Sequence, residues 1–488
     1  MKILFVNPWT KSLFGDEKQV SGHPHIGLSY LIAACKKDGY KEVKVFDQGL
    51  EKDDNKLFSL ISSYKPDLVG VTTFSFCYKY AKAVIDEIKD KFPGLLVIAG
   101  GPHVSATKSH ILKTTKADFA MKGESELSFI KFLKESERSS PDFSRVNNLI
   151  WRDGDSWVEN QDEEYIKDLD SISFPDYEAF GIERYPAYGQ HLMPIITSRG
   201  CPYGCNYCCI RLTMGRNFRA RSPQNVVAEM KYLNDSYRIN HFEINDDCFA
   251  FDLKRAEEIC DLITDSRLNI RYELYNGIRA DNVSEQLLRK MKESGCIFIS
   301  YGCESGNQEI VNKYIGKNLD LRKVIQAVEL TNKIGIKNSV NFIIGHPGET
   351  YKTAMDTLKF ASSLKTNFVN MYNLIPYPGT ELFDWIIKNS TYMMPVEDYL
   401  ETVGSRDFPP VFETREFTRK ERTRVLKKGY ALYEKTILQF RLGKALGLIV
   451  YYLCKNRFIF KLGRSLVFDG GIGSKFFRLL SKKSRVVD

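Results

Sequence analysis

The run Gly200-Cys201-Pro202-Tyr203-Gly204-Cys205-Asn206-Tyr207-Cys208 governs how the rest of the chain is read. Its cysteines follow a C-x3-C-x2-C spacing, short enough for three thiolates to converge on one centre. Thiolates are the ordinary ligands of iron–sulfur clusters. Three ligands on a cubane leave one iron open to a small molecule, and an open iron implies a reaction. Zinc sites pair C-x2-C units and close four ligands. No second C-x2-C pair is present, and the nearest further cysteines are Cys209 and Cys248. A disulfide framework fits poorly with eleven scattered cysteines in 488 residues and no secretory leader.

Length and composition agree with a multidomain cytoplasmic enzyme. About three domains are expected from the length, and 43% apolar residues can fill sizeable cores. Thiols without pairing partners suit a reducing compartment. The net charge of +9 is a property of residues 441–488, where eleven basic residues stand against Asp469 and Asp488.

Upstream of the cysteines, apolar runs at 3–6, 43–46, 68–73, 95–99 and 117–121 alternate with helix-length stretches. Five such strands imply a parallel, doubly wound, Rossmann-like sheet over 1–135. Ligands of these sheets bind beyond the carboxyl ends of the strands. Two glycine loops occupy such places: Gly100-Gly101-Pro102-His103, and Lys122-Gly123-Glu124-Ser125-Glu126. Glycines there let a large flat ligand approach the backbone, although they also serve as plain turn residues. Residues 136–190 read as a connector containing a hairpin-like stretch at 149–157.

Strand–helix alternation resumes at 194–197 and continues with strands at 241–245, 271–276, 297–302, 339–344 and 367–372. Six strand–helix units over 191–400 read as a partial (β/α)6 TIM-like barrel, whose reacting groups belong at the carboxyl ends of strands. Candidate residues cluster there: Asn245-Asp246-Asp247, Arg279 and Asp281, Gly302-Cys303-Glu304-Ser305-Gly306, and Ile344-Gly345-His346-Pro347-Gly348-Glu349-Thr350. Glu349 and Asp281 read as helix caps as readily as catalytic acids. Cys303 is followed only by Cys454, so an auxiliary-cluster domain is not expected.

The cysteine run, with Tyr207 beside its third thiolate, resembles the C-x3-C-x-aromatic-C motif of the radical S-adenosylmethionine (SAM) superfamily. With the G-G-P-H and G-E-x-E loops before it, the chain over roughly 1–400 resembles the B12-binding, cobalamin-dependent branch. The resemblance implies a 4Fe-4S cluster on Cys201, Cys205 and Cys208, with the open iron chelating SAM. It implies SAM contacts from Tyr207, Asp246, Asp247, Glu304, Ser305, Ile344 and Gly345, the last two as a bed for adenine. It implies cobalamin against Gly100, Gly101, Pro102, His103, Gly123 and Glu124. Asn245-Asp246-Asp247 departs from the Gly-Gly-Glu of many relatives. No histidine has Asp two residues before it, so the cofactor is expected base-off without an axial histidine. His23, His25 and His103 are pocket candidates that also read as ordinary loop histidines.

The implied chemistry is reductive cleavage of SAM to a 5′-deoxyadenosyl radical, fed by a flavodoxin- or ferredoxin-type donor, with cobalamin-dependent methyl transfer to an unactivated carbon. Rearrangement or ring formation, and a non-catalytic sensor, are the competing readings. The C-terminal region 401–488 reads as helical. Its run 445–454 is apolar except for Gly447, too short to span a bilayer. Apolar stripes beside lysines and arginines suit a helix in a lipid headgroup layer, which points to a lipid-like or other small-molecule substrate. A cap on the barrel fits the same pattern, and no RNA-binding module supports nucleic acid.

Overall fold

In the computed structural model, residues 1–11, 18–19, 21–51, 53, 55–154, 156–402 and 409–455 are described. The chain divides into two compact units, one of Met1–Ile278, Ser284–Ile297 and Ile375–Thr414, the other of Arg279–Val283, Phe298–Leu374 and Arg415–Asp488.

The first unit opens with a seven-stranded sheet. Strands β1 (Ile3–Asn7), β2 (Val43–Asp47), β3 (Leu68–Thr72), β4 (Leu96–Gly100) and β5 (Phe119–Met121) run parallel in the order β2-β1-β3-β4-β5. Every residue of β3 is buried, which is why 68–72 reads as a continuous apolar run rather than an alternating one. The order reverses between β1 and β3, and ligands bind at such a switch point. Strands β6 (Leu149–Asp153) and β7 (Ser156–Glu159) extend this sheet antiparallel beyond β5. The hairpin read as a connector is therefore an edge of the first sheet: Leu149 and Ile150 are fully buried while Arg152 and Asp153 face solvent.

A six-stranded sheet follows, built from β8 (Leu192–Ile195), β11 (His241–Ile244), β12 (Arg271–Ile278), β13 (Cys296–Glu304), β14 (Lys337–Ile344) and β15 (Phe368–Asn373), in sequence order. The pairs β8–β11, β11–β12, β13–β14 and β14–β15 are parallel, as expected of a partial barrel. Between β8 and β11, the short strands β9 (Ser198–Arg199) and β10 (Arg219–Ala220) pair antiparallel. The helices between barrel strands start on side-chain caps: Ser222 accepts from the Asn225 amide, Asp252 from Arg255, and Thr350 forms a reciprocal capping box with Thr353.

The second unit ends in helices α1 (Arg419–Leu442) and α2 (Lys444–Lys455). They touch at Gly447, where a Cβ would lie 2.4 Å from the Gln439 Cα. Among the described residues no helix is long and apolar enough to cross a membrane. The tail beyond 455, where much of the basic excess falls, lies outside the described residues.

Candidate functional site

The cysteine loop is an excursion closed at its base by β9 and β10. Gly200 holds φ at +81°, and a Cβ there would lie 2.3 Å from the Asn217 carbonyl, so only glycine fits. The Cys201 amide donates to the Gly215 carbonyl at 3.3 Å, and the Cys208 amide to the Cys205 carbonyl at 3.2 Å. Cys201, Cys205 and Cys208 are all partly exposed. Burial first, and then the proximity of Cys209, Cys205 and Cys201, push the Cys208 thiol up to about 12. The three thiols thus share one neighbourhood. Among the described residues no three ligands close in on a single ion. A cubane asks for less, because each thiolate meets a different iron.

The adjacent acids do different work. Asp246 is buried and accepts from the Thr197 amide and hydroxyl, both at 2.5 Å, and from the Ser198 hydroxyl at 2.6 Å. Those bonds hold the strand that enters the cysteine loop. Asp247 accepts from the Gly200 amide at 2.9 Å, and burial lifts its carboxyl to about 6. It is the carboxylate of the pair that faces the loop. Tyr207 is half-buried beside Cys208.

Beyond the carboxyl ends of β3 and β4 lies a cavity of about 290 Å³, bordered by Gly100, Gly101, Pro102, Gly123 and Glu124. Gly101 has φ +103°, and a Cβ would lie 2.8 Å from the Thr73 carbonyl. Gly101 is therefore required by the close approach of the chain after β3. His103 does not line the cavity: it is buried on the Tyr78 ring, 4.2 Å between centroids, with Nδ1 3.1 Å from the Ser75 hydroxyl. Burial holds its imidazole neutral, down to about 3. His25 lines the cavity instead, with Nδ1 accepting from the Leu28 amide at 3.1 Å. That bond fixes the proton on Nε2, a buried atom without a hydrogen-bond partner.

Glu124 borders the cavity with both carboxylate oxygens engaged. Its Oε1 accepts from Arg199 at 3.1 Å and its Oε2 from Arg219 at 2.8 Å, while Glu126 pairs with Arg199 at 2.7 Å. These side chains are 4–11% exposed. Arg199 and Arg219 are register partners in β9 and β10, so the G-E-x-E loop grips the base of the cysteine loop. The arginines were not legible as site residues, because they lie 75 and 95 residues from Glu124.

The model of the radical SAM superfamily matches residues 195–361, and that of the B12 binding domain residues 18–133. The uncharacterized methyltransferase PH0819 of Pyrococcus horikoshii is 30% identical over 433 residues, covering 88% of this chain and 92% of its own. The chain is a B12-binding radical SAM enzyme. It belongs to the cobalamin-dependent, methyltransferase-like branch of that superfamily. Cytidylyl-2-hydroxyethylphosphonate methyltransferase of Streptomyces wedmorensis is 25% identical, covering 78% of this chain and 80% of its own. Anaerobic magnesium-protoporphyrin IX monomethyl ester cyclase of Rubrivivax gelatinosus is 26% identical, covering 78% and 69%. Among solved structures, the fold is shared with OxsB (TM-score 0.71, 14% identity, 100% of this chain and 76% of that one). It is also shared with TsrM of Kitasatospora setae (TM-score 0.68, 19% identity, 79% and 76%).

The remaining candidates of this radical SAM enzyme lie in the second unit. Glu304 sits in the left-handed region at φ +71° and pairs with Lys317 at 2.8 Å, both side chains 7% exposed. Gly302 makes room, since a Cβ there would lie 2.8 Å from Glu304 Oε1. Ser305 is turned into the fold, its hydroxyl 3.0 Å from that of Thr357. Ile344 is fully buried. Gly345 has φ +120°, and its amide donates to Glu349 Oε2 at 2.6 Å. Glu349 therefore shapes the turn after β14, and Asp281 pairs with Arg279 at 2.7 Å. Neither is a helix cap.

Proposed function

We propose that this enzyme uses a 4Fe-4S cluster on Cys201, Cys205 and Cys208 to cleave SAM, and transfers a methyl group through cobalamin to an unactivated carbon. The observation that carries the reading is the grip of Glu124 on Arg199 and Arg219: the base of the cysteine loop and the wall of the glycine-lined cavity are one buried assembly. When bound, the cluster supplies the electron that breaks the C5′–S bond of SAM, and the corrin carries the methyl group.

The chain's own groups hold and orient. Asp247, beside the loop, accepts from the ammonium of SAM. Tyr207 packs next to the third thiolate. Within the second unit, Glu304, its charge balanced by Lys317, and the side-chain-free backbone at Gly345 are the polar and open groups offered to a nucleoside. The cavity beyond the carboxyl ends of β3 and β4 would take the nucleotide tail of the corrinoid. This agrees with a base-off cofactor, since the one cavity-lining imidazole, His25, has Nδ1 committed to the Leu28 amide. A flavodoxin- or ferredoxin-type protein supplies electrons, and the substrate is a small molecule. Relatedness to a ring-forming cyclase keeps cyclisation as a second reading.

A lipid-linked substrate and peripheral membrane contact through 441–488 are supported by α2. Leu446, Ile449 and Leu453, three and four residues apart, are 46%, 56% and 45% exposed on it. The basic sequence that follows complements an anionic surface. Sedimentation with anionic but not neutral phospholipid vesicles, weakened in Leu446→Ser/Ile449→Ser, is expected. Absence of any vesicle binding rejects this part alone.

The cofactor reading is tested on protein purified anaerobically with hydroxocobalamin supplied. One corrinoid per chain and the broad iron–sulfur absorption are expected, the latter lost when the three cysteines are changed to alanine. Absence of corrinoid, or absorption surviving that change, refutes the assignment. With a substrate in hand, S-adenosylhomocysteine alongside product supports methyl transfer, and product without it supports cyclisation.

A further inference from the structure

We infer that Glu124 and Glu126 are positioning residues that couple corrinoid binding in the glycine-lined cavity to the arrangement of the cysteine loop. The inference rests on the cofactor reading above and adds to it a thermodynamic link between the two sites. Glu124 borders the cavity, and its two carboxylate oxygens hold different arginines, Arg199 through Oε1 and Arg219 through Oε2. These arginines face each other across β9 and β10, the two strands that open and close the loop. Arg199 is two residues before Cys201, reaches Glu126 at 2.7 Å, and lies 5.0 Å over the ring of Tyr30, another cavity residue.

Arg219 ties the far end of the loop as well, donating to the Met214 carbonyl at 2.9 Å and to the Ile166 carbonyl at 2.8 Å. The Ile166 amide donates back to Glu124 Oε2 at 3.2 Å. Thr213 and Met214, on the loop itself, also border the cavity. A ligand filling the cavity therefore meets the loop directly at Thr213 and Met214, and indirectly through Glu124.

Two carboxylates and two guanidinium groups balance in charge while almost fully buried. Shifting one loop without the other would leave a buried charge unpaired, which proteins avoid strongly. The cavity wall and the loop base consequently move as one body. Coupling of this kind is reciprocal: whatever the ordered loop adds to corrinoid affinity, the corrinoid adds to loop order.

The test is the affinity of hydroxocobalamin, read from its absorbance, for the full chain without iron and after anaerobic cluster reconstitution. The reconstituted wild-type protein is expected to bind about five-fold more tightly or better, the lower end of ordinary coupling between sites. In Glu124→Gln, which keeps the shape but removes the charge, that ratio is expected to fall below about two-fold while both forms still bind. Arg219→Lys keeps a charge but not the planar fork, and it should lower the ratio as well; it serves where Glu124→Gln does not fold. Equal affinity in the two wild-type forms, or an undiminished ratio in the variants, overturns the coupling alone. No binding of hydroxocobalamin to any form overturns the cofactor reading beneath it.

Discussion

Glu349→Gln is expected to stabilise the protein in alkaline solution and to do little in acid. Glu349 is fully buried; its Oε2 accepts from the amides of Gly345 and His346, while its Oε1 has no hydrogen-bond partner. Burial raises its carboxyl from 4.5 to about 7, against the opposing pull of the Gly345 amide and Arg422. A folded-state pKa above the unfolded one means that the fold prefers the protonated acid. The associated stability is complete below pH 4.5 and is lost as pH rises through 7. At about 1.4 kcal/mol per unit, a shift of roughly two and a half units costs the native state about 3 kcal/mol once the acid is ionised. Glutamine copies the protonated acid and carries no such cost. The assay is chemical denaturation of wild type and variant, without cofactors, at intervals from pH 5 to 9. The difference should grow in the variant's favour by about 2.5 kcal/mol between pH 5 and 8.5. A difference that stays flat across that range refutes the reasoning.

Further changes have equally definite outcomes. Gly101→Ala meets a backbone conformation open only to glycine, at about 1–3 kcal/mol, plus a clash with the Thr73 carbonyl; hydroxocobalamin titration should show at least a several-fold loss of affinity. Glu229→Ala strands the buried guanidinium of Arg221, and denaturation should register a loss of about 3–5 kcal/mol. Replacing both with Leu and Met should recover most of it. His103 has its folded pKa depressed by burial to about 3 from 6.5, so its stabilising contribution is present above pH 6.5 and lost as pH falls towards 3. His103→Phe, which can still stack on Tyr78, should flatten that part of the stability profile; an unchanged slope would contradict the assignment.

Much of the architecture is legible from pattern alone. The parallel strands are apolar runs because both of their faces are covered, and 68–73 is read within one residue of β3. The cysteine loop is legible because spacing, Gly200 and Gly204 all describe one turn of chain. What sequence could not supply was partnership across distance. The hairpin-like stretch at 149–157 was visible in the sequence, but its strand partner in β5 was not. Asp246 and Asp247 are indistinguishable as neighbours, and only the inward hydroxyls of Thr197 and Ser198 separate them. His103 follows two glycines that border the cavity, yet the helix starting at Pro102 turns it onto Tyr78. Glu124 was legible as a loop residue, but its arginines were not, because they arrive from the strands that flank the cysteines.

The most direct measurement is 5′-deoxyadenosine released from SAM by the reduced, cluster-reconstituted protein, set beside the variant with alanine at Cys201, Cys205 and Cys208. The nucleoside is expected from the wild-type protein and not from the variant. Its absence from the wild-type protein, or its formation by the variant, would contradict the account.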